Sequence, residues 1–191
     1  MIKKLDRKFY DRPTLKVAKE LLGKYLVVQK DGHLLSGKIV ETEAYIGFKD
    51  PASHAYRGMT PRNEVMFGSP GCAYVYLTYG MHHCLNLVTE KKGYPAAVLI
   101  RALEPVEGTE LMRRRRKRRE LKDLTSGPAK LCQALGVDRK LNGVDLCSDV
   151  IFVENRGEAA GKIASSARIG IKETREKKWR FFVKDNEFVS R

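Results

Sequence analysis

Ile39-Val40-Glu41-Thr42-Glu43-Ala44-Tyr45-Ile46-Gly47 carries β-branched residues, two acids and an aromatic, and runs into a glycine turn. The pattern predicts a strand. Side chains alternate faces along a strand, so Ile39, Glu41, Glu43 and Tyr45 share one face. Val40, Thr42, Ala44 and Ile46 share the other, which reads as the core face. The two acids are therefore expected on the exposed face. An acid beside an aromatic at a strand end, just before a turn, is poor core material and a reasonable place for chemistry.

Working outward, Ser36 to Tyr45 pairs with an upstream strand from Tyr25 to Gln29, across the hairpin signal Asp31-Gly32. Before it, Asp11-Arg12-Pro13-Thr14 supplies cap and starter residues. Leu15, Ala18, Leu21 and Leu22 then recur at helical spacing and Gly23 ends the helix. Downstream, Gly47 to Gly71 is a long segment of turn residues, a length usually tied to function or disorder. Tyr74-Val75-Tyr76-Leu77-Thr78 reads as a strand, Tyr79-Gly80 as a tight turn and His83 to Val88 as the returning strand. Ala96 to Ala102 is another strand, apolar except for Arg101. Glu104 to Arg119 reads as a helix followed by a mobile basic loop. Ser126-Gly127-Pro128 starts a helix through Leu131, Cys132 and Leu135, ended by Gly136. Short strands follow at Val150 to Glu154, Ala167 to Ile171 and Trp179 to Val183. Strands dominate and no βαβ alternation appears. The expected class is α+β: a single domain over 1–191, with a mostly antiparallel curved sheet, a few flanking helices and a protruding β-hairpin.

The composition fits that class. The chain has 191 residues, 42% hydrophobic and 31% charged, enough for one domain with a core. No apolar run is long enough to span a bilayer, and Met1-Ile2-Lys3-Lys4-Leu5-Asp6 lacks the apolar centre of a signal peptide. An intracellular protein is expected, in the cytoplasm or nucleoid of a prokaryote, or the nucleus if eukaryotic. Cys72, Cys84, Cys132 and Cys147 form no CxxC pair and fit no zinc spacing, so reduced thiols are expected. His33, His54, His82 and His83 show no metal-ligand spacing, and no metal or cofactor is expected. The formal net charge of +14 points to a nucleic-acid phosphate backbone, because neutralising phosphates releases counterions. An anionic membrane surface is the weaker partner, since no amphipathic basic helix supports it.

Several residues could carry chemistry. Glu43 is either a solvated strand carboxylate or a general base. His54 lies between small residues that would let its ring lie flat against another group. Tyr79 sits at a hairpin tip, where Asn, Asp and Gly are favoured. In a basic protein an exposed aromatic there suggests a wedge between stacked bases. Hairpin register matters for Asn86. A two-residue loop at Tyr79-Gly80 puts Asn86 and Tyr76 on opposite faces; a three-residue loop or a bulge puts them on one face. Arg101 is either a strand-end arginine reaching solvent or a guanidinium held near a phosphate or carboxylate. The seven like charges Arg113 to Arg119 read as a solvated loop that adds non-specific phosphate affinity.

These segments, with Phe9-Tyr10, Leu21-Leu22-Gly23, Thr60-Pro61-Arg62-Asn63, Met66-Phe67, Tyr79-Gly80-Met81, Leu99 to Pro105 and Ser126 to Leu131, resemble the alkyladenine DNA glycosylase family, the 3-methyladenine glycosylases of the mammalian type. The resemblance covers nearly the whole chain. It implies a monofunctional base-excision-repair enzyme that flips out alkylated or deaminated purines and hydrolyses the N-glycosidic bond. It implies Glu43 as the base that activates water and Arg101 as the residue that helps hold that water and a phosphate. Tyr45 would form one wall of the base pocket, His54 and Tyr76 the opposite wall. Asn86 would disfavour the guanine amino group, so the longer turn or bulge is implied. Tyr79 would fill the vacated stack, and Arg62 and Met81 would meet the DNA backbone or groove. The partner would be double-stranded DNA containing damaged purines, bound by a monomer. His82, His83, Glu64 and Val65 depart from the family pattern, which bears on groove contacts. The lack of a long N-terminal extension fits a minimal prokaryotic form. Two rivals remain on the sequence: a bifunctional glycosylase with a Schiff-base lysine, and a non-catalytic RNA-binding module.

Overall fold

The computed structural model describes residues 2–172 and 174–190. Strand β1 (Lys3–Lys4) and a short helix α1 (Arg7–Tyr10) lead to α2 (Thr14–Glu20). A hairpin of β2 (Tyr25–Lys30) and β3 (His33–Ile46) follows, turned at Asp31 (φ 53°) and Gly32 (φ 74°). Then come β4 (Ala73–Thr78), β5 (His82–Val88) and β6 (Ala96–Glu107). Helices α3 (Thr109–Arg116) and α4 (Pro128–Leu135) precede β7 (Ile151–Asn155), β8 (Ile163–Ser166) and β9 (Arg180–Val183). The strands form one antiparallel sheet in the order β1-β7-β2-β3-β6-β5-β4, with β9 pairing the second half of β3 and β8 beside it. The architecture is α+β, as the strand-dominated pattern implies. Among the described residues no helix is long and apolar enough to cross a membrane.

The main core lies between this sheet and helices α2 and α4. Leu21, Leu26, Leu87 and Ile100 are fully buried there, and each such side chain contributes about 1.5–3 kcal/mol on leaving water. Helix α2 starts differently from expectation. Pro13 is its N-cap without a side-chain cap bond, and the orphan Thr14 N–H is taken by the Glu90 carboxylate at 2.8 Å.

Strict alternation fails in the stretch of β3 that carries the acids. The register against β6 slips between Ile39 and Glu41 and again between Glu41 and Thr42. A bulge of this kind turns following residues to the other face. Ile39 and Ala44 thus both join the main core, whereas Val40 packs with Ala102 and Phe188 in a separate cluster. The second correction concerns exposure. Glu41 and Glu43 have 0% solvent exposure, because the C-terminal strands and tail cover that face.

Three further expectations change. Residues 104–107 continue β6 as strand, not helix. The basic run is not a mobile loop over its first half: Arg113–Arg116 lie in α3. Met112 anchors the helix in the core, and Arg115 and Arg116 donate to the Ala134 and Leu124 carbonyls. Residues 167–171 are not a strand. The strand is Ile163–Ser166, and the chain beyond it turns at Gly170 (φ 75°), with Arg168 buried.

Gly23 and Gly32 provide a stability test. A β-carbon on Gly23 would approach Ala160 Cα to 2.8 Å at a φ of 80°, whereas one on Gly32 (φ 74°) meets nothing within 4 Å. Gly32→Ala should cost only the left-handed backbone strain, about 1 kcal/mol. Gly23→Ala should cost at least about twice that, and urea unfolding of the two variants checks the order.

Candidate active site

β3, the β4–β5 hairpin and the loop between them build one cleft. Tyr45, Ala52, His54, Met66, Tyr74, Tyr76, Asn86 and Ile171 line it around about 430 Å³ of space, mouth included. The hairpin register explains how Asn86 arrives there. Thr78 pairs with His82, Tyr76 with Cys84 and Tyr74 with Asn86, so the connection is the three residues Tyr79, Gly80 and Met81. Asn86 therefore shares a face with Tyr74 and Tyr76, and its Nδ2 donates to the Tyr74 carbonyl at 3.2 Å.

The aromatic side chains divide into two groups. His54 meets Tyr76 edge-on at 4.5 Å and Tyr74 at 6.2 Å, and the two tyrosine rings lie 5.4 Å apart. His54 Nδ1 and the Tyr74 hydroxyl are 3.0 Å apart. Burial, with Arg62 nearby, lowers the His54 pKa. Burial pushes Tyr74 up to about 12. Both groups are therefore neutral near pH 7. Asn63 secures this loop: its amide donates to the His54 and Gly58 carbonyls at 2.8 and 3.0 Å. Tyr45 belongs to a different stack. Its ring stands against the Arg168 guanidinium at 4.6 Å.

Beneath Tyr45 lies a buried charge cluster. The Tyr45 hydroxyl donates to Glu43 Oε2 at 2.9 Å, and Arg101 Nη1 reaches the same oxygen at 3.3 Å. Glu43 Oε1 accepts the Ile169 N–H at 2.8 Å. Burial first, then the Glu43 charge and hydrogen bond, raise the Tyr45 pKa well above its ordinary value, so the hydroxyl stays a donor. Arg101 Nε binds Glu41 Oε1 at 3.0 Å, and Arg180 Nε binds it at 2.6 Å. The Ser190 N–H closes Glu41 Oε2 at 2.7 Å. Burial opposes the charged form of Arg101, but Glu43 and Glu41 outweigh it and raise its pKa.

The hairpin tip is the opposite environment. Tyr79 is 90% exposed and Met81 71% exposed. Tyr79 adopts φ 50°, an uncommon conformation for a non-glycine residue. Arg62 stacks 5.3 Å from the Tyr76 ring and donates to the Leu77 carbonyl at 3.2 Å, tying the long loop to this hairpin.

The model of the family described as methylpurine-DNA glycosylase matches residues 8–187. The chain belongs to that family. It is 56% identical over 192 residues to a Methanocella arvoryzae protein named "Putative 3-methyladenine DNA glycosylase", covering 98% of this chain and 96% of that one. Proteins of the same name from Alkaliphilus oremlandii and Carboxydothermus hydrogenoformans are 51% and 53% identical, each over 98% of this chain and 99% and 98% of theirs.

In this methylpurine-DNA glycosylase-family chain, the expected pocket residues Tyr45, His54, Tyr76 and Asn86 do come together. Glu43 and Arg101 lie below them, joined to the cleft by one hydroxyl. Tyr79, Arg62 and Met81 lie on or beside the hairpin outside it. Sequence reasoning gave Glu41 no role, yet it anchors Arg101. It also missed Asp50, Arg168, Arg180, Ser190 and the Ile169 N–H. The one available signal was Arg180, set between Trp179 and Phe181 in the tail. Glu41→Gln tests the anchor. Breaking a buried pair leaves an uncompensated charge and costs about 3–5 kcal/mol. Chemical denaturation should show a loss of that size, whereas Asp149→Asn, at a solvent-exposed pair with Lys4, should barely move the midpoint.

Proposed function

We propose that this chain is a DNA glycosylase of base excision repair that removes alkylated or deaminated purines and leaves an abasic site. The observation that carries the reading is the link between cleft and carboxylate: Tyr45 lines the cleft and its hydroxyl holds Glu43. A base in a duplex is out of reach, so the target nucleotide must be flipped, at a cost of about a few kcal/mol. Tyr79, almost fully exposed on the hairpin that also carries Tyr76 and Asn86, is suited to fill the vacated stack. Arg62 and Met81, beside that tip, would meet the backbone or groove. The net charge of +14 supplies the general attraction to phosphate. The enzyme would act as a monomer on double-stranded DNA. The finer assignment to the mammalian type rests on sequence motifs alone, since the relatives named above come from archaea and bacteria.

In this reading the flipped base stacks among Tyr45, Tyr76 and His54, and Asn86 disfavours a guanine amino group. Purines alkylated at N3 or N7 are cationic, and a tyrosine face attracts a cation by about 0.5–2 kcal/mol. Cleavage passes through an oxocarbenium-like state, as in glycoside hydrolysis. A cationic purine already carries its leaving-group charge, so one carboxylate suffices. Glu43 would take the proton of the attacking water. It has no solvent exposure, so that water must enter with the nucleotide. Oε1 accepts one hydrogen bond among the described residues, which leaves it a lone pair for the water. Arg101 holds the carboxylate in its orientation. A neutral lesion needs a proton at the base. His54, with its lowered pKa, offers a hydrogen bond and holds no spare proton near pH 7, so neutral lesions should leave more slowly.

Incubation with duplexes containing 3-methyladenine, hypoxanthine or ethenoadenine, followed by alkali cleavage, tests the activity. Strand breaks at the lesion are expected; none at any lesion would favour a non-catalytic binder. Glu43→Gln should keep lesion binding and lose at least about a hundredfold in base release, within the range of a general base. Release at the wild-type rate would remove Glu43 from that role, and a borohydride-trapped adduct would replace water by a lysine nucleophile. Tyr79→Ala should weaken lesion binding with the fold intact, read by a fluorescent base analogue in the duplex. Unchanged flipping would return Tyr79 to a role in the hairpin alone.

A further inference from the structure

One buried charge pair has no part in the chemistry above. Arg168 and Asp50 have no side-chain exposure. Their contact is two-pronged: Arg168 Nη1 to Asp50 Oδ2 at 2.6 Å, and Nη2 to Oδ1 at 2.7 Å. The guanidinium also donates to the Ala44 carbonyl and the Thr174 hydroxyl, each at 2.9 Å. Its carbon stands 4.6 Å from the centre of the Tyr45 ring. Asp50 accepts from the N–H groups of Ile46 and Ala52, both at 3.3 Å. The pair thus grips Tyr45 through both neighbouring backbone positions and through its ring. Stability alone explains such a pair poorly, because apolar replacements of buried ion pairs are often as stable or more so.

We propose that Arg168 and Asp50 set which lesions the cleft favours, by fixing the charge held against the hidden face of Tyr45. The inference rests on the glycosylase reading and on Tyr45 as a wall that touches the base. Arg168 is fully buried and does not line the cleft, so it stands on the ring face turned away from it. A ring attracts cations through the negative charge of its faces. A guanidinium on one face draws on that charge and repels a second cation on the other. Asp50 offsets part of this repulsion through its two-pronged contact with the guanidinium. The intact pair therefore tolerates a cationic purine, while the member that stands against the ring is still the cationic one. A neutral purine feels little of either effect. Selectivity between cationic and neutral lesions thus depends on two residues that do not touch the base.

The test is the ratio of single-turnover excision rates for cationic 3-methyladenine and neutral hypoxanthine in one duplex context. Asp50→Asn leaves Arg168 uncompensated, and the cationic-to-neutral ratio should fall by roughly tenfold, the upper part of the cation–π range. The double variant Arg168→Met with Asp50→Asn removes both charges, and the ratio should rise above wild type by roughly threefold. A purely structural role would lower both rates together and leave the ratio unmoved. An unmoved ratio in both variants, or a fall in the double variant, overturns the proposal. If Asp50→Asn fails to fold, the double variant decides alone: a rise supports the proposal and no change sinks it. Wild-type protein that releases neither base would defeat the glycosylase reading itself, an outcome separate from an unmoved ratio.

Discussion

Glu41 and Glu43 lie two residues apart on one strand, side by side and wholly out of water. Charges so placed persist only when donors meet them from every side. The chain answers with groups far apart in sequence: Arg101 from β6, the Ile169 N–H, Arg180 from β9 and the Ser190 N–H. Each must be brought to β3 by its own segment. That requirement accounts for β9 taking over the edge of β3 where β2 leaves it. It also accounts for residues 167–171 crossing this face as irregular chain, since a backbone N–H committed to a carboxylate is lost to a strand ladder. The bulge in β3 serves the same arrangement, opposing Glu41 to Ala102 and Glu43 to Leu99 so that Arg101 reaches both acids.

Above this cluster the molecule changes character. The cleft is aromatic and neutral, and the hairpin beyond it is open. Tyr74, Tyr76 and Asn86 face the cleft while Tyr79 caps the same two strands. Pocket and tip are thus parts of one hydrogen-bonded unit, and their separation is set by strand geometry, not by a flexible joint. Arg62 stiffens the link by binding the Leu77 carbonyl from the long loop. The buried acids need a rigid surround and the tip needs freedom from one, and the sheet keeps the two apart.

Much of the frame was readable from local signals. Asp31-Gly32 marked the first hairpin, and the tyrosine-rich strand with its return marked the second. The cleft residues were only partly legible locally, as an aromatic beside an acid and a histidine among small residues; Asn86 and the grouping of all four into one pocket came with the family resemblance. What was hidden depended on distance along the chain. Asp50 and Arg168 are 118 residues apart, and nothing near either announces the other. The exposed reading of Glu41 and Glu43 failed because the cover comes from the tail, which alternation within β3 cannot report. The arginine run read as a solvated loop because its charge pattern conceals its stems. Met112 and the carbonyls of Leu124 and Ala134 hold part of it as helix. In each case tertiary partners overrode a sound local inference.

The three-residue connection at Tyr79-Gly80-Met81 carries a consequence for the cleft. Strand faces alternate with a period of two, so the number of residues at the tip decides which way Asn86 points. Substitutions at the tip are free to alter the group presented to a partner without disturbing the cleft. Loss or gain of a single residue there would rotate the returning strand by one position and carry Asn86 to the core side. For the cleft, then, the length of the tip is constrained more tightly than the identity of its side chains.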